Sequence, residues 1–212
     1  MLEPKTYGRL ISLGYNCQPR FTLRRFFDHE AEFVLDGLIS YKLERINELL
    51  KTEFSSFFLP ENTFHEDGSD GFLIVKDGLN EITSIHDVRS DIPWENAYQD
   101  FVERKRLQYT QLIQFVKSSP ESLLFVRRNK AFETLKTCEE LVETIRILRG
   151  DKPFDVFVFQ NKPYMGTDFG IPNLHTFYDG CWEFQNTWVG DSNLWNTVFQ
   201  NIKIHAPHAR LV

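Results

Sequence analysis

The chain has 212 residues, a net charge of -6 and a hydrophobic share of 42%, which suits one globular domain with ample length for a core. That charge excludes a broad nucleic-acid surface, which needs clustered basic excess. No apolar run approaches the roughly 18 residues needed to cross a bilayer, so neither nucleic acid nor membrane is expected as a partner.

The first residues, Met1 to Lys5, lack a basic start followed by an apolar run, so no signal peptide is visible. Arg9 to Arg20 then reads Arg-Leu-Ile-Ser-Leu-Gly-Tyr-Asn-Cys-Gln-Pro-Arg. Leu10 to Leu13 predict a buried strand, Gly14 the break after it, and Pro19 the start of an arginine-rich helix. A thiol in that position lies at a helix N-terminus, where unpaired N–H groups and the dipole favour the reactive thiolate. The competing reading of Cys17 is a small buried hydrophobe.

Tyr41 to Phe54 repeats Leu43, Ile46, Leu49 and Leu50 at helical spacing. His65 to Gly71 reads as a polar loop; its adjacent His, Glu and Asp are poorly placed to chelate one ion. Gly71–Val75 and Glu81–His86 predict a hairpin through Asp77-Gly78. A long helix follows over about Glu95 to Lys117, then a central strand over Ser122 to Val126. Thr137 and Glu140 have the spacing of a capping box, and Gly150 closes that helix. Cys138 therefore also stands near a helix start and is the main rival thiol. Phe154–Phe159 and Leu174–Tyr178 predict strands, and Asp191 opens a last helix running through about Asn201.

Strands alternating with helices predict an α/β fold: a single domain over residues 1–212, built as a three-layer, Rossmann-like mixed sheet, mostly parallel, with helices on both faces. Leu10–Leu13, Leu123–Val126 and Asp155–Phe159 are expected to lie parallel in its centre. Cys17, Cys138 and Cys181 are widely spaced, without a Cys-x-x-Cys pair. That pattern fits a reducing, cytoplasmic setting without a zinc site.

Ser12-Leu13-Gly14-Tyr15-Asn16-Cys17 with Leu23-Arg24-Arg25 resembles the opening signature of the DUF1796 family, described as putative papain-like cysteine peptidases. Asp36 in Phe33-Val34-Leu35-Asp36, Ile85-His86-Asp87, and Leu123 to Arg128 are similar to that family in the same order. The resemblance implies a cysteine hydrolase with Cys17 in its site. Papain-type enzymes carry a Cys-Gly-Ser-Cys-Trp context and a more distant histidine, so the form expected here is a cysteine hydrolase on a Rossmann-like sheet.

Loops after parallel strands gather at one sheet edge, where ligands bind. Asn16 and Cys17, His86 and Asp87, Arg127 and Arg128, and Asn161 and Lys162 all stand at predicted strand exits. In the catalytic reading Cys17 is the nucleophile, His86 the base, and Asp87 or Asp36 the group that orients the imidazole. Backbone N–H groups and the Asn16 amide would receive the oxyanion. Arg127, Arg128, Asn161 and Lys162 would bind a small-molecule, peptide or glycan-related substrate, with no cofactor and no metal. The alternative is a non-catalytic glycan or sugar-phosphate binder, using Arg127, Arg128 and Lys162 beside stacking faces from Trp94, Trp182, Trp188 or Trp195. The oligomeric state is left open.

Overall fold

A computed structural model describes residues 3–27, 34–129, 134–160, 169–179 and 191–205, with the backbone alone for Cys17 and Gln18. Its centre is a four-stranded parallel sheet in the order β2 (Arg9–Ser12), β7 (Leu123–Asn129), β8 (Phe154–Gln160) and β9 (Leu174–Tyr178). Every residue of β2, β7 and β8 is buried, as strands covered on both faces require. The three apolar runs are thus parallel, as the sequence predicts; β2 terminates the four-stranded order and is not central.

Side-chain alternation along these strands divides the core in two. On one face Leu10, Leu124, Val126, Phe157 and Phe159 pack with α1 (Cys17–Phe27) and α5 (Ser192–Phe199). There the Trp195 indole lies flat on Phe159, with ring centroids 3.8 Å apart. On the other face Ile11, Leu13, Leu123, Phe125, Val156 and Val158 meet α2 (Leu43–Lys51), α3 (Trp94–Ser118) and α4 (Leu135–Arg149). This is the three-layer arrangement expected from the strand and helix pattern.

Two further sheets flank it. A parallel pair joins β1 (Lys5–Tyr7) to β10 (Ile202–Ile204). An antiparallel sheet runs β3 (Leu38–Ser40), β6 (Ile82–Arg89), β5 (Phe72–Asp77), β4 (Thr63–Asp67). A single parallel bridge between Tyr15 and Ile39 connects this sheet to the end of β2. The predicted hairpin is β5–β6. Its neighbour β4 corrects the reading of His65–Asp67 as loop: these residues are an exposed edge strand, whose solvated face removes the apolar alternation that marks a strand.

One helix start also differs. The N-cap of α4 is Thr134, whose Oγ1 accepts the Thr137 N–H at 3.1 Å; the predicted box at Thr137 lies inside the helix. Cys138, in the first turn of α4, is sealed in the core with 0% exposure. At the other end of α4, Arg149 donates to the Val116, Ser119 and Pro153 carbonyls at 2.9 Å each. It thereby satisfies carbonyls at the end of α3 that no helical N–H can reach. Among the described residues no helix is long and apolar enough to cross a membrane.

Candidate active site

The chain leaves the parallel sheet at β2 and enters α1 through Gly14, Tyr15 and Asn16. Gly14 has φ +78° and Tyr15 has φ 127°. Glycine meets the first demand at little cost, but a bulky residue at positive φ is strained by about 1–3 kcal/mol and persists only where its surroundings over-determine it. Those surroundings are visible. The Ser12 hydroxyl accepts the Gly14 N–H at 3.2 Å, and the Tyr15 carbonyl accepts the Ser40 N–H at 2.9 Å. A Cβ on Gly14 would stand 2.9 Å from the Leu35 carbonyl oxygen, so the segment carrying Asp36 lies directly against the turn.

Arg127 braces the turn from beneath. Its guanidinium donates to the Leu13 carbonyl at 2.9 Å, the Ser40 hydroxyl at 2.8 Å, the Ser40 carbonyl at 2.5 Å and Asn129 Oδ1 at 2.7 Å. It is fully buried and ties β2, β3 and β7 together. Arg128 points to the opposite face: it pairs with buried Asp179 at 3.3 Å and lies 5.4 Å from the Tyr15 ring centroid. Burial pushes the Tyr15 phenol up to about 12, against the opposing pull of Arg128. Asp179 also accepts from the Trp195 indole at 3.1 Å and the Asp191 N–H at 2.9 Å. Both arginines are therefore part of the interior, and Trp195 is a core ring.

Cys17 is the first residue of α1, so its backbone sits at the helix N-terminus immediately after the strained turn. Its side chain lies outside the described portion, as do Asn161, Lys162, Cys181, Trp182 and Trp188. Asn16 is half-buried in the turn itself. Asp36 is buried at 7% exposure. The Arg20 guanidinium of α1 comes within 3.8 Å of where a Gly37 Cβ would be. The turn at Asp36–Gly37 therefore packs on the Gly14–Arg20 segment.

His86 belongs to the flanking sheet. The last β3–β6 pair is Leu38 with Ser84; continuing that antiparallel register two residues brings position 86 level with position 36. His86 is exposed, with its ring 5.8 Å from Phe72. The β5–β6 ladder slips here: Leu73 pairs Val88 and Val75 pairs Ser84, leaving residues 85–87 opposite Ile74 alone. Such a bulge re-aims side chains.

Asp87 is engaged elsewhere. Its carboxylate accepts the Ser84 hydroxyl at 2.6 Å and the Lys105 ammonium at 2.9 Å. Burial would raise its pKa, but Lys105 and Ser84 hold it below the usual carboxylate value. Lys105 is itself buried, in line with Phe101 and Leu112 on α3. A lysine on an apolar stripe was the signal in the sequence that a buried anion faces it. The roles of Arg127 and Tyr15 had no such signal, because they depend on segments far apart in the chain.

Among the described residues there is no cluster of His, Cys, Asp and Glu able to hold a metal ion. A family model described as "Putative papain-like cysteine peptidase (DUF1796)" matches residues 8–155. That span contains the turn, Asp36, the bulged strand and β7. Comparison with curated proteins and with solved structures gives no match.

Proposed function

This chain belongs to the DUF1796 family, and from that premise we propose that it is a cysteine hydrolase with Cys17 as nucleophile, His86 as base and Asp36 as the group that orients His86. The observation that carries the proposal is the strained Gly14–Tyr15 turn, with φ +78° and 127°, delivering Cys17 to the start of α1. Strain of this kind collects where geometry serves chemistry. The helix N-terminus supplies its dipole and the backbone N–H groups of Cys17 and Gln18 to hold a thiolate. Asp36 is preferred over Asp87 because it packs on the turn, whereas Asp87 is committed to Lys105 and Ser84.

In this reading the thiolate sulfur attacks a substrate carbonyl carbon, and the developing oxyanion is received by N–H groups of the first turn of α1 and the Asn16 amide. The imidazolium of His86 gives its proton to the leaving group as the carbonyl-to-leaving-group bond breaks, which leaves a thioester on Cys17. Water, deprotonated by His86, then releases the acid and restores the thiol. The binding-module alternative needs Arg127 and Arg128 to face a ligand; both guanidiniums have internal partners.

The test is acylation by p-nitrophenyl acetate, followed as nitrophenolate release. Cys17→Ser should abolish the burst. His86→Ala should slow it at neutral pH by about 10²-fold or more, and Asp36→Asn by a smaller factor, while Asp87→Asn leaves it unchanged. A burst that survives Cys17→Ser, or equal rates in wild type and His86→Ala, would sink the assignment.

A further inference from the structure

The far end of α1 borders an open cleft of about 810 Å³ against β10 and the end of α5, lined by Arg24, Arg25, Phe26, Phe27, Phe199 and Lys203 among others. Among the described residues no carboxylate belongs to its lining, although the chain as a whole carries a net charge of -6. Arg24 and Arg25 occupy the last turn of α1, where cations answer the helix dipole. That accounts for the arginines but not for Lys203, which projects from the middle of β10, on a separate element. Arg25 and Lys203 are both exposed. The Arg25 guanidinium carbon is 5.8 Å from the Phe26 ring centroid.

The apolar side of the cleft is aromatic. Phe199 is buried and anchors Phe26 and Phe27, with ring centroids at 5.6 and 5.2 Å. Phe26 and Phe27 themselves are only half-buried and keep ring surface towards the opening. Two guanidinium forks and an ammonium match phosphate oxygens, and the rings offer a stacking surface for a planar group. The volume falls within the roughly 300–1,000 Å³ range of small-molecule sites.

We propose that this cleft binds a nucleoside phosphate, with Arg24, Arg25 and Lys203 on the phosphates and Phe26 and Phe27 against the base. The site's residues lie about 10 to 15 Å along α1 from Cys17, at 1.5 Å rise per residue, so it stands independently of the hydrolase reading.

Calorimetric titration of the full chain with ADP tests it, with adenosine, inorganic phosphate and phosphatidylglycerol vesicles as comparison probes. ADP should bind, and Arg25→Glu combined with Lys203→Glu should weaken it by about tenfold or more. Adenosine and inorganic phosphate should each bind more weakly than ADP, and Cys17→Ser should bind ADP as the wild type does. Should the charge-reversed variant melt early, Arg25→Gln with Lys203→Gln replaces it with the same expected loss. The proposal is overturned if ADP does not bind or if the charge variants bind it unchanged. It is equally overturned if inorganic phosphate matches ADP, leaving the rings idle, or if vesicles bind and ADP does not compete with them.

Discussion

Replacing Arg127 by Met separates an interior brace from a substrate-facing cation. The guanidinium holds the Leu13 carbonyl, the Ser40 carbonyl and hydroxyl, and Asn129 Oδ1 at 2.5 to 2.9 Å, at 0% exposure. Methionine fills most of the volume but donates nothing, so buried acceptors lose their partner at about 1–3 kcal/mol each. These losses share one side chain and are not additive. Reorientation of the Ser40 hydroxyl and of the Asn129 amide recovers part of them, which leaves about 3–5 kcal/mol. For a chain of this size each kcal/mol lowers Tm by about 2–4 °C, giving a drop of roughly 10 °C. Arg127→Lys should fall between, since one ammonium cannot span the positions that the planar fork serves. Thermal and urea unfolding followed by circular dichroism provide the measurement. Because the brace reaches the turn before Cys17, iodoacetamide labelling of Cys17 should also change. A stability within about 0.5 kcal/mol of wild type, or a gain from removing a buried charge, would refute the bracing role.

Gly14→Ala should cost about 2 kcal/mol, because an L side chain is strained at φ +78° and its Cβ would meet the Leu35 carbonyl oxygen at 2.9 Å; wild-type urea stability in this variant would contradict the tight packing of the turn. Asp155 bears on acid stability. Its burial would raise its pKa, yet His175, Lys5 and Tyr7 donate to it and hold it below the usual carboxylate value. A depressed folded-state pKa means the contribution is present above the unfolded value of about 3.9 and is lost as pH falls through the folded one. Asp155→Asn should therefore lower Tm at pH 7 and narrow its gap to wild type as pH falls below the unfolded carboxylate value of about 3.9; a gap that stays constant through acidification would remove Asp155 from the acid transition.

The local readings were decided by composition and period. Continuous apolar runs at Leu10–Leu13, Leu123–Val126 and Phe154–Phe159 specify strands buried on both faces, because only that environment rewards apolar residues at every position. The stripe on α3, the Asp-Gly region of the β5–β6 hairpin and the N-cap Asp191 are equally local. The opening Ser12–Cys17 motif marked the turn where the strained backbone lies. The edge strand β4 escaped because its side chains face solvent and carry no alternation. Long-range pairing escaped for a different reason. Whether Arg127 faces a ligand or braces Leu13 and Ser40 depends on residues 114 and 87 positions away. Whether Asp87 serves His86 or Lys105 depends on a bulge opposite Ile74 and on the approach of α3. Sequence fixes which side chains carry charge, but the partner of a buried charge is set by which segments the core brings together, and that only the tertiary structure decides.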